Sequence, residues 1–157
     1  MSAKAATNEE RWSGLSRQDL VALGRTLVTD RLEAIGCTVT PPPGRLGGRL
    51  TVQTPSGTAA EVFVSTKRLG GYVFWTKRRL QLAANRFAGV VLLTEAEEPF
   101  VYLVPSLEWS HATPPLKDRD NIGKRSEPEY GISLARSSLA SLSRYAWDLG
   151  GGAEHFR

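Results

Sequence analysis

Acidic side chains are scarce through the middle of this chain. Between Glu33 and Glu95 the only carboxylate is Glu61, yet the same stretch carries Arg45, Arg49, Lys67, Arg68, Lys77, Arg78, Arg79 and Arg86. Magnesium is held by oxygen ligands, usually including one or two carboxylates beside substrate phosphates. The segment is therefore poorly equipped for a divalent ion and well equipped to attract a polyanion. Cysteine is almost absent. Cys37 stands alone, which excludes an internal disulfide and favours a reducing compartment, with the thiol expected to be buried and structural. Together with His111 and His155 it falls short of the four nitrogen or sulfur ligands of a structural zinc site. Long apolar runs are missing, so no membrane span or membrane partner is expected. Met1–Arg11 has no apolar core of a secretory signal, and a cytoplasmic protein is expected. No G-x-S-x-G occurs, Ser65 has no identifiable histidine partner, and Gly123–Ser126 lacks the upstream glycine of a phosphate-binding P-loop.

What is present suits one domain with a proper core. The chain has 157 residues, 41% hydrophobic and 23% charged, with a net charge of +4 and a pI near 9.5. Residues 1–14 are small, polar and charged, and are expected to be a flexible N-terminus. Ser16 with Asp19 three residues on forms a capping signal, and Leu20, Leu23, Leu27, Val28 and Ile35 recur at helical spacing up to Gly36. These predict a helix over 17–35. A short strand follows at 37–40. Two alternating segments, 49–54 and 60–66, flank Pro55-Ser56-Gly57 and predict a β-hairpin. Residues 72–75 read as a strand and 77–84 as a short basic helix or turn. The nearly continuous apolar run 87–93 predicts a central strand buried on both faces, paired to a strand at 100–104. Residues 105–132 read as irregular, and 137–147 as a closing helix. The domain is expected to span 15–148, with 149–157 a flexible, glycine-rich tail. The predicted class is α/β or α+β, a mixed sheet with a hairpin core flanked by an N-terminal and a C-terminal helix.

Five stretches carry a family resemblance: R49-L-T-V-Q-T-P-S-G57, E61-V-F-V-S-T66, G70-G-Y-V-F-W-T-K77, V101-Y-L-V-P-S106 and K124-R-S-E-P-E-Y-G131. In their order and spacing the run from Gly24 to Trp147 resembles small bacterial proteins with the restriction-endonuclease-like fold, the PD-(D/E)XK superfamily. The resemblance implies that the hairpin is where chemistry would sit. In that family an aspartate on the first strand and an acid or glutamine on the second hold a divalent metal, and a lysine two residues on helps the attacking water. Here those positions are Arg49, Phe63 and Ser65, and the helix glutamate that often joins them falls near Arg25. A divalent ion about 4 Å from a guanidinium is repelled by roughly 8 kcal/mol at an effective dielectric near 20. The resemblance therefore implies a degenerate site with no resident cofactor.

Relocated metal ligands are the alternative, with Glu61, Asp118 and Asp120 as candidates and Mg²⁺ as the ion. Glu61 and Lys67 share a strand face but lie about 20 Å apart along a regular strand and cannot serve one ion. The remaining signal is basic and aromatic. Arg45, Arg49, Lys67, Arg68, Lys77, Arg78, Arg79 and Arg86 interleave with Tyr72 and Trp75, the rings expected to be exposed, and with Phe74 and Phe87, expected in the core. Cations neutralise phosphates and exposed rings stack on bases, so nucleic acid, DNA or RNA, is the expected partner. A protein-interaction module, immunity or accessory, is a third reading. A homodimer through sheet edges and Trp109 or Trp147 is compatible with all three.

Overall fold

A computed structural model describes residues 12–41, 48–94, 98–148 and 150–157. Helix α1 spans Arg17–Ala34, and the capping signal closes in both directions: Asp19 N donates to Ser16 Oγ at 3.1 Å, and Ser16 N donates to Asp19 Oδ2 at 3.0 Å. These bonds satisfy two donors that a helix start otherwise leaves orphaned. Gly36, with φ +95°, turns the chain out of the helix, and Gly36 N and Cys37 N donate to the Glu33 and Leu32 carbonyls. Gly24, Val28 and Leu32, spaced by one helical turn each, form the buried stripe of α1.

Strands β1 (Thr38–Thr40), β2 (Arg49–Gln53), β3 (Ala59–Arg68), β5 (Arg86–Leu93) and β6 (Phe100–Pro105) form a five-stranded sheet in the order β1-β2-β3-β5-β6. All neighbours are antiparallel except β3 and β5, which run parallel, so the sheet is mixed as expected. The predicted hairpin is β2–β3, with Arg49 opposite Phe63 and Thr51 opposite Glu61. The crossover from β3 to β5 passes through β4 (Tyr72–Thr76) and a turn, not a helix. β4 belongs to a second sheet with β7 (Leu116–Arg119) and β8 (Glu129–Ser133), in the order β4-β8-β7, all antiparallel.

The large sheet is buried on both faces. Val62, Val64, Phe87, Val91, Val101 and Leu103 pack with Val28 and Leu32 of α1. Phe63, Ala88, Val90, Leu92, Tyr102 and Val104 pack with Val73, Trp75 and Ile132 of the small sheet. Gly24 lets α1 settle directly on β3: a Cβ there would overlap Thr66 Oγ1 and press on Val64.

Three expectations change. Residues 105–132 are not irregular, since they contain β7, most of β8 and a 3₁₀ segment at Ser106–His111. The closing helix is broken into a four-residue helical turn, Leu139–Leu142, between 3₁₀ pieces at Arg136–Ser138 and Ser143–Tyr145. Ser143 Oγ donates back to Ala140 O at 2.6 Å, the local competition by which serine weakens helix interiors. The tail is anchored: Gly152–Phe156 is a 3₁₀ segment, and Phe156 is fully buried against Phe87 and Trp147. Its carbonyl accepts the Cys37 thiol at 3.4 Å, and burial raises that thiol above its usual range. Cys37 is thus the buried structural residue expected.

Candidate functional site

The hairpin positions that the family resemblance marks do not form a metal site. Arg49 Nε lies 3.1 Å from Glu61 Oε2, and Arg86 Nε lies 4.0 Å from Glu61 Oε1, so Glu61 is clasped between two guanidinium groups. Phe63 is 3% exposed and sits in the core between the two sheets. Arg25 lies with Pro41 and Leu50 on the helix side of the sheet, away from Phe63. A cation, a buried ring and a hydroxyl do not fit a divalent ion.

The relocated candidates are also engaged. Asp118 and Asp120 both pair with Lys77, the latter at 2.7 Å, and Lys77 lies 4.9 Å from the centre of the Tyr130 ring. The hydrogen bonds to Asp118 and Asp120 hold the Lys77 ammonium well above the usual lysine range. Among the described residues no three His, Cys, Asp or Glu side chains converge on one point.

These pairings divide the basic residues into two sets. Arg49, Arg86, Lys77 and Arg78 are matched to acids, Arg78 through Glu127 at 3.2 Å. Lys67, Arg68 and Arg79 instead converge on a groove of about 750 Å³. Arg45 lies outside the described residues. Among the described residues β3 outruns its partner at this end. β2 begins at Arg49 opposite Phe63, Gly48 O still accepts from Val64 N at 2.9 Å, and Ser65–Arg68 continue further, between the first turn of α1 and β4. The helix contributes Arg17, Leu20 and Val21; β3 contributes Ser65, Thr66, Lys67 and Arg68; β4 contributes Tyr72, Phe74 and Trp75. Four cations line the groove, and among its described lining residues none is acidic. Arg68 also donates to Trp12 O at 2.5 Å, which fixes its direction. Ser65, which stands where the resemblance expects a lysine, is partly exposed in this groove.

The rings are distributed differently from expectation. Trp75 is 3% exposed and packs edge-on to Trp109 in the core, whereas Phe74 is 54% exposed. Strand alternation is the reason: Val73 and Trp75 point inward, so Tyr72 and Phe74 must point outward. Phe87 is buried as expected. Tyr72 lies across Gly131, where any Cβ would collide with its ring, and its hydroxyl donates to Glu129 Oε2 at 2.8 Å. Burial, then the hydrogen bond to Glu129 and its charge, raise the Tyr72 phenol well above its usual range. Glu129 is buried, and its other oxygen accepts from Asn121 Nδ2 at 3.1 Å.

Sequence reasoning missed Arg17 and Phe74. Arg17 sits at the first helical position, far in sequence from the basic segment, and only the helix–sheet packing brings it there. Phe74 was legible through the two-residue period. No helix among the described residues is long and apolar enough to cross a membrane. No family model matches the chain, and neither a curated protein nor a solved structure matches it.

Proposed function

We propose that this chain is a catalytically inactive protein of restriction-endonuclease-like type, binding nucleic acid through the groove between α1, β3 and β4 in a cytoplasmic binding or regulatory role. The observation that carries this reading is the set of four cations, Arg17, Lys67, Arg68 and Arg79, in a groove without a described carboxylate. Such a surface neutralises phosphates and releases their counterions. The resemblance in the β2–β3 hairpin supports the nuclease-type origin, and Phe63 and the Arg49–Glu61–Arg86 cluster support the loss of hydrolysis. The pairing of Glu61, Asp118 and Asp120 with cations weighs against an active enzyme with relocated ligands.

Affinity for a short oligonucleotide, measured against salt, tests the reading. Four phosphate contacts give a log–log slope of about −3.6 on duplex or −2.8 on a single strand. The double variant Lys67→Ala, Arg79→Ala should lower the magnitude by about 1.8 or 1.4 respectively. A slope unaffected by the double variant refutes the groove as the binding surface. Plasmid incubated with protein and Mg²⁺ or Mn²⁺ should remain intact. Cleavage that disappears in Glu61→Ala or Asp120→Ala would establish an active nuclease instead.

A further inference from the structure

The groove does not end at its cations. Its β4 wall continues onto the outer face of the small sheet, where Tyr72 and Phe74 stand two residues apart with ring centres 6.1 Å apart and planes inclined by 21°. Tyr72 is pinned: its hydroxyl is tied to Glu129, Gly131 leaves room beneath its ring, and the Arg119 guanidinium lies 4.6 Å from the ring centre. Arg119, Tyr72 and Phe74 therefore form an ordered row that ends in an open ring. Of the two rings in the row Phe74 is the one left largely uncovered, and it is also a lining residue of the cationic groove.

A solitary exposed phenylalanine needs no explanation. This one is different in its surroundings. It is stacked on a held neighbour, which lowers the side-chain freedom to be lost on binding. It also borders a groove whose charge calls for phosphates. A ring beside a phosphate track suits one chemistry above others, a nucleobase attached to that phosphate chain. In a duplex the base faces are hidden in the stack, whereas a single strand can turn a base outward onto an aromatic ring.

We infer that the groove takes single-stranded nucleic acid, with the phosphate chain along Arg17, Lys67, Arg68 and Arg79 and one base stacked on Phe74. This rests on the nucleic-acid reading of the groove and specifies the form of the ligand. Arg119, held over Tyr72, buttresses the platform from the far side and need not touch the ligand.

The test uses fluorescence anisotropy with the full chain and four probes of about 12 nucleotides, a length within the range one binding groove covers: oligo-dT, oligo-rU, an abasic DNA strand and a random-sequence DNA duplex. The single strands with bases should bind at least about fivefold tighter than the abasic strand. They should also bind tighter than the duplex at the same salt. Phe74→Ala should remove that margin while leaving the salt slope unchanged, and Phe74→Trp should retain it. Phe74→Leu, which keeps bulk without a π face, should behave like the alanine variant. Equal affinity for abasic and base-bearing strands, or a Phe74→Ala variant that binds like wild type, overturns the stacking inference while the Lys67 and Arg79 dependence leaves the groove reading standing. No salt-dependent binding to any probe overturns both. Thermal unfolding of each variant reports whether a loss of binding is a loss of fold, and a variant with wild-type unfolding makes the binding result decisive.

Discussion

Phe74 and Trp75 are neighbours with opposite environments, and the difference follows from strand geometry alone. General burial preferences put Phe inside and let Trp sit half-wet. The two-residue period overrides them, because Tyr72 and Trp75 lie an odd number of residues apart and cannot share a face. Which face turns inward was set by Val73, which is fully buried. Tyr72 carries a prediction at the same scale. Its phenol is raised, so the folded state holds the proton more tightly than the unfolded chain does. The associated stability is fully present below the ordinary value of 10.0 and is lost as pH rises above it toward the folded value. Tyr72→Phe should cost about 1–3 kcal/mol at neutral pH by removing a donor to the buried Glu129 carboxylate. It should also reduce the further loss on going to strongly alkaline pH. Urea midpoints of both proteins at neutral and alkaline pH measure it, and an identical alkaline loss in the variant contradicts the account.

The elements that were legible are those whose signal is local. Ser16 and Asp19 announce the start of α1 and Gly36 its end, because capping and left-handed turns involve residues adjacent in sequence. The β2–β3 hairpin was legible from its alternation, and β5 from its unbroken apolar run. β7 was not, because Leu116 is its only buried side chain and the next three residues are charged and exposed. It becomes a strand only because β8 supplies its partner bonds. The C-terminal segment was not legible for a related reason: Gly150–Gly152 suggests mobility, but Phe156, further along, has a place in the core to fill. That docking has a measurable size. Phe156→Ala should destabilise the fold by about 3–5 kcal/mol in urea unfolding. A change under about 1 kcal/mol would mean the segment is not docked in solution.

At the scale of the whole molecule, much of the basic character noticed in the sequence is answered by internal pairing. Arg78 and Arg79 are adjacent, yet Arg78 holds Glu127 while Arg79 lines the groove. Net charge treats them alike, and position separates them. Arg79→Ala should lower the magnitude of the salt slope for oligonucleotide binding by about 0.7–0.9, whereas Arg78→Ala should leave it unchanged. Equal effects would mean that overall charge, not the groove, draws the ligand. The cationic segment was legible as a polyanion signal, but its division into members paired with acids and members lining the groove was not, since Asp118, Asp120 and Glu127 come from a distant part of the chain.

Gly24 is not a lining residue of the groove, yet it governs the distance between the groove's two banks. Arg17 is carried on the helix and Lys67 on the strand, and the bare backbone at position 24 resting on Thr66 sets how near they stand. A single methyl added there would overlap Thr66 Oγ1, so the calibre of the channel is encoded two helical turns along from Arg17, in the one buried position of α1 with no side chain at all.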